Sequence, residues 1–198
     1  MTPQEKCDLV QANSGDLFPR LAKKATELAN RKNGSFDQRI GQAYQIIDAM
    51  AAEVGNVAIC KRGCNFCCYQ SVLIPLWEAR RIAKFSGRKM KNITGYGHDN
   101  DTPEGLRKRH SGTPCTFLHE NGCAIYPVRP FACRLHFNMG DDATVCDIVR
   151  DPGAKVPYFN FEPAKEFMFV MFFRNSTKFG DIREFFGENQ GIGNTDNE

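Results

Sequence analysis

A chain of 198 residues, 41% apolar and 25% charged, is long enough to bury a core of its own without disulfides. Its net charge of +3 is too small to argue for nucleic acid by itself, and its longest apolar run, Phe167 to Phe173, is far too short for a membrane span. The opening Met1-Thr-Pro-Gln-Glu-Lys has no apolar stretch ahead of a cleavage site, so no signal peptide is read there. The expectation is a cytoplasmic protein without membrane association, whose thiols stay reduced or bind metal.

In chain order, Leu17, Phe18, Leu21, Ala25 and Leu28 recur at helical spacing, closed by Asn33-Gly34. Ser35 and Gln38 form a capping-box pattern, in which the serine oxygen accepts a free backbone N–H and the glutamine reaches back. It opens a second helix with the stripe Ile40, Ala43, Tyr44, Ile47, Met50, Ala51 and Val54, ended at Gly55-Asn56. Ser71 to Ile74 reads as an extended apolar entry, and Pro75 suits the first turn of a third helix, where its missing N–H costs nothing. That helix stops at Ser86-Gly87, with Trp77 as its core anchor.

Residues 91 to 114 are polar and rich in Gly, Asn and Asp, with one possible helical turn at Leu106. The basic stretch Arg107 to His110 reads as a solvated face. Residues 115 to 157 read as irregular loops, and Glu162 to Arg174 as a buried helix. Asp181 to Glu184 caps a short last helix through Phe186, with Gly187 as its stop. No hairpin signal stands out. The expected fold is mainly α, a helical framework around irregular cysteine-rich metal-binding loops. The organisation is one domain over 1–187, with a metal-binding core at about 58–147, flanking helices at 16–55 and 162–187, and a disordered tail at 188–198.

The chemistry lies in the cysteines. Cys60, Cys64, Cys67 and Cys68 fall within nine residues, and Cys115, Cys123, Cys133 and Cys146 follow. Soft thiolates at such spacing hold zinc or iron, a [4Fe–4S] cluster included. The total of nine cysteines is odd and does not suit a closed disulfide set. Cys60, Cys64 and Cys67 can converge on one centre, with Gly63 free to take a positive φ. Cys68 leaves the backbone in another direction from Cys67, so it ligates a second metal, bridges two, or hydrogen-bonds a ligand. The downstream spacings are too long for a simple knuckle and require the fold to gather the thiols. The two groups are expected to meet in one region, with Cys133 folded back over the first loop.

Arg129 and Arg134 flank Cys133 and suit either compensation of thiolate charge or ordinary salt bridges. His136 is the histidine placed to join a metal, although a structural role is the stronger reading; His119 is expected at the surface. Cys7 stands apart from the constellation.

At these residues the chain resembles the YkgJ-like cysteine-cluster family of zinc- or iron-chelating proteins, related to flagellin lysine methylases. The matching elements are Cys60, Cys64, Cys67 and Cys68, then Glu78-Ala79, then Cys115-Thr-Phe-Leu118. Gly122-Cys123-Ala-Ile-Tyr126-Pro-Val-Arg129-Pro130-Phe-Ala-Cys133-Arg134 completes the pattern, with a similar trailing Cys146. The resemblance implies a protein that holds zinc or iron through these cysteines.

Its kinship with the methylases implies the alternative, an iron–sulfur enzyme that uses S-adenosylmethionine on a protein lysine. The spacing Cys60-x3-Cys64-x2-Cys67 matches the radical S-adenosylmethionine motif. Against that alternative, the chain shows no alternating strand–helix pattern for a barrel. A third reading, a nucleic-acid-binding zinc module, would use Lys61, Arg62, Arg129 and Arg134 but lacks a strongly basic domain. The expected partners are therefore a metal ion and a protein partner or substrate, without nucleic acid.

Overall fold

The structure is a computed structural model that describes residues 1–31, 33–61, 63–93, 105, 109–120, 122–161 and 178–187. Helix dominates these residues, as the periodicity predicts, and no described helix is long and apolar enough to cross a membrane. The chain divides into two compact units, each assembled from separated stretches.

The first unit comprises Met1–Lys61, Phe131–Ala143 and Lys155–Asn175. Its helix α1, Pro3–Ser14, lies ahead of every helix read from the sequence. The signal was present: Thr2 accepts from the Glu5 N–H, Glu5 reaches back to the Thr2 N–H, and Pro3 stands at the first turn. Too few apolar residues mark its buried face for a stripe to show. Helix α2, Leu17–Asn30, follows, with Ala25 and Leu28 buried.

Helix α3, Phe36–Gly55, opens on the Ser35–Gln38 capping box. It buries every residue of the expected stripe, with Ile46 in addition. Its Tyr44 meets the ring of Phe131 edge-on at 4.4 Å, on the single helical turn α5, Phe131–Arg134. The Arg134 guanidinium lies 4.3 Å from the Tyr44 ring centroid and pairs with Asp48, one helical turn further along α3. Of the two roles open to Arg134, the structure thus shows the salt bridge. Lys6 of α1 donates to the Gly140 carbonyl at 2.8 Å and to Asp141 at 2.7 Å. Asp141 is exposed, so that bond locates α1 more than it stabilises it.

The second unit comprises Arg62–Pro130, Thr144–Ala154 and Ser176–Glu198. Strand β1, Leu73–Pro75, pairs antiparallel with β4, Phe179–Asp181, in the register Leu73↔Asp181 and Pro75↔Phe179. Pro75 then caps helix α4, Leu76–Ser86, which buries Trp77, Glu78, Ala79 and Ile82. The helix ends at Gly87, whose left-handed φ of +70° closes the last turn.

Strands β2, Leu118–His119, and β3, Gly122–Cys123, form a minimal hairpin. These two short ladders leave the mainly-α expectation standing, and no hairpin signal marked them because segments of two and three residues are too short to display a period of two. Asp181 caps helix α6, Ile182–Phe186, in a capping box with Glu184, as read from the sequence. A Cβ on Gly180 would fall 2.7 Å from Ile93 Cδ1, 3.0 Å from Glu184 Oε2 and 3.1 Å from the Phe185 ring, so a larger residue there would make these side chains shift. The possible turn at Leu106, the expected buried helix Glu162 to Arg174 and the tail from 188 lie outside the described residues.

His136, in the first unit, stacks against Tyr158 at 4.4 Å, and its Nε2 is buried with no hydrogen-bond partner among the described residues. Burial pushes its pKa from 6.5 down to about 4. Between those values the unfolded chain binds a proton that the folded chain does not. Stability at this site is therefore complete above pH 6.5 and declines as pH falls towards 4, by at most about 1.4 kcal/mol per unit. Urea midpoints at pH 7 and pH 5 should fall more for the wild type than for His136→Phe. Equal losses would remove His136 from the acid response.

Candidate metal centre

The second unit holds six of the eight cysteines singled out by spacing: Cys64, Cys67, Cys68, Cys115, Cys123 and Cys146. Cys60 and Cys133 belong to the first unit. All nine cysteines of the chain are free thiols; Cys64 is exposed, Cys146 is buried, and the others are half-buried.

Cys67 and Cys68 sit in a 3-10 turn, Phe66–Tyr69, where the Cys68 N–H donates to the Asn65 carbonyl at 2.9 Å. The Cys115 N–H donates to the Cys68 carbonyl at 2.8 Å, and the Gly112 N–H to that of Tyr69 at 2.8 Å. Further along, a Cβ on Gly122 would lie 3.9 Å from the Gly63 Cα, and both glycines have positive φ. Residues 63–70 and the Cys115–Cys123 segment therefore lie side by side, whereas Cys133, expected over the first loop, belongs to the first unit.

Backbone donors already face several of the sulfurs. The Phe117 N–H points to Cys115 and the Ile125 N–H to Cys123, each two residues beyond its cysteine. Such N–H groups offset the charge of a metal-bound thiolate. In the first unit the Asn138 N–H donates to Cys60 Sγ at 3.3 Å. Asn138 is fully buried, its own side chain bonded to Gly140 and Asp142. Nothing in the sequence distinguishes it from an ordinary turn residue.

The thiols differ in acidity. A hydrogen bond from the Cys68 thiol holds Cys67 below the usual thiol range, and its own backbone N–H and the Arg129 charge act the same way. Burial pushes Cys115 up to about 11 and raises Cys123, with Arg183 opposing the first shift and Arg129 the second. Arg129 therefore acts on two thiols from the two cysteine groups, and its guanidinium is held 3.8 Å over the Tyr126 ring. The bond between the adjacent thiols favours the reading of Cys68 as a hydrogen-bond partner of a ligand.

Arg183 is the polar residue that the sequence reading missed. It is fully buried with Asp181 at 2.9 Å. It donates to the carbonyls of Cys68 at 3.0 Å, Gln70 at 3.2 Å, Thr113 at 2.6 Å and Pro114 at 3.2 Å. A signal existed, since a cation in the first turn of a helix opposes the macrodipole and calls for another reason to be there.

Among the described residues, no group of three or more His, Cys, Asp or Glu side chains is gathered as a preformed ligand set. The donor chemistry nonetheless fits a soft ion: thiols in two adjacent segments, N–H groups aimed at sulfur, and an arginine between them. Residues 59–151 match the family model CxxCxxCC, described as "Putative zinc- or iron-chelating domain". The match spans every cysteine from Cys60 to Cys146. No curated protein and no solved structure matches the chain.

The acidity order is measurable in the reduced, metal-free protein. Peptide-resolved alkylation against pH should show Cys67 reaching its plateau below the pH of an ordinary thiol, while Cys115 still accelerates towards pH 11. Inversion of that order would refute the electrostatic description.

Proposed function

We propose that this protein binds zinc or iron through its clustered cysteines. The observation that carries the reading is the junction at Cys68, whose carbonyl accepts the Cys115 N–H and so brings two separated cysteine groups alongside each other. The proposed ligands are Cys64, Cys67, Cys115 and Cys123, with Cys146 as a further donor and Cys68 as the thiol that hydrogen-bonds Cys67. Cys60 and Cys133 are proposed for the same chemistry on their spacing alone. When bound, the ion would supply the cross-link that short, irregular segments cannot make for themselves.

The protein's own groups would prepare the thiols. Arg129 and the N–H groups of Phe117 and Ile125 favour the thiolate forms that an ion requires, whereas burial of Cys115 resists ionisation in the ion's absence. Metal uptake should therefore release protons and weaken as pH falls. No observation on the described residues favours the S-adenosylmethionine-dependent alternative over simple ion binding. An iron–sulfur cluster would be its precondition, and that is separable by experiment.

Anaerobic purification followed by zinc, iron and sulfide analysis and a visible spectrum tests the proposal. Stoichiometric zinc or iron is expected. Matched iron and sulfide with a broad absorption band would indicate a cluster, and a colourless zinc protein would end the redox and radical readings together. Cys67→Ser and Cys115→Ser should each reduce bound metal, and Cys7→Ser should not. A chain that takes up neither ion on reconstitution, or loses it through Cys7 alone, would sink the assignment.

A further inference from the structure

We infer that Arg183, which lies beyond the matched residues 59–151, is a positioning residue for the cysteine centre: it binds the backbone of segment 68–70 to that of segment 113–114 and so directs the Cys68 and Cys115 side chains. The inference rests on the metal-binding reading above.

Three observations carry it. Arg183 is fully buried in the short α6, and its Nε, Nη1 and Nη2 all donate to polar acceptors. The acceptors are concentrated: apart from Asp181, all four are main-chain carbonyls within two residues of Cys68 or Cys115. The Cys68 carbonyl, moreover, accepts from both Arg183 and the Cys115 N–H, so one oxygen joins both cysteine segments to the guanidinium.

Nη2 alone lies within hydrogen-bond distance of carbonyls on both segments, those of Cys68, Gln70 and Thr113, while Nη1 faces Asp181 and Nε faces Pro114. A lysine ammonium has all its donors at one point and cannot hold these three positions of the planar fork together. Asp181 in turn holds the fork in orientation: its Oδ1 accepts from the Arg183 N–H and Nη1, both at 2.9 Å, and its Oδ2 from the Val72 N–H at 2.7 Å. The last described helix of the chain is thereby a working part of a centre whose ligands all precede residue 151.

The test compares the full-length wild type with Arg183→Lys and with Ile182→Ala, which removes buried bulk from the same helix and leaves the fork intact. Three readouts are needed: the urea midpoint, zinc affinity by chelator competition, and the absorption spectrum of the cobalt(II)-loaded protein, which reports the ligand set. Arg183→Lys is expected to lose zinc affinity by about tenfold or more and to change the cobalt spectrum. Ile182→Ala should keep the wild-type spectrum at an equal or greater loss of stability.

Wild-type affinity and spectrum in Arg183→Lys would overturn the inference. So would matching losses in both variants, because the role would then be structural only. Should the wild type bind neither zinc nor iron, the metal reading fails, and alkylation of the metal-free protein decides the positioning. Cys115 reactivity relative to Cys7 should rise in Arg183→Lys and not in Ile182→Ala; equal ratios would overturn it. If Arg183→Lys does not fold, Asp181→Asn takes its place under the same criteria.

Discussion

The second unit depends on a buried ion pair that satisfies main chain with no ladder of its own. Segments 66–70 and 112–115 form short turns and not strands, so their carbonyls lack regular partners. Arg183 lies within hydrogen-bond distance of four of them, and the Cys68 carbonyl accepts from the Cys115 N–H as well. The pair with Asp181 is not worth its Coulomb energy alone, because taking both charges out of water offsets much of it. Its value lies in geometry: removing either partner would strand the other charge together with the backbone it serves.

The electrostatics of the thiols follow from the same arrangement. Burial alone would keep the thiols protonated, which is inert chemistry for a ligand. Arg129, fixed over Tyr126, and N–H groups two residues beyond Cys115 and Cys123 act in the opposite direction. The result is thiols of different acidity, Cys67 lowered and Cys115 and Cys123 raised. A cation would bring them to a common ionised state.

How much was legible in the sequence varies with the range of the interaction. Helix α3 could be read completely, because a capping box and a stripe of period 3.6 are local signals that burial merely ratifies. The cap and stop of α6 were legible for the same reason. Helix α1 carried a legible cap but almost no stripe, and it was missed. Of the paired strands, β1 was legible as an extended entry at Ser71 to Ile74 but not its partner, and the two-residue strands were too short to show. Among the site residues, cysteine spacing pointed to soft-metal chemistry, in agreement with the match over 59–151.

Assigning roles to the arginines needed the third dimension. Arg129 and Arg134 are equivalent neighbours of Cys133 in sequence, yet one acts on the thiols of the second unit and the other pairs with Asp48 in the first. Arg183 is more than a hundred residues from Cys68, and its unfavourable place in the first turn of a helix hints at a role without naming the segments it serves. The sequence by itself determined the helices and the donor chemistry, because both are written in residue type and short spacing. Which cysteine segments lie together, which arginine serves them and which thiol ionises first were decided only by tertiary structure, because burial and charge are properties of neighbours that the chain brings in from far away.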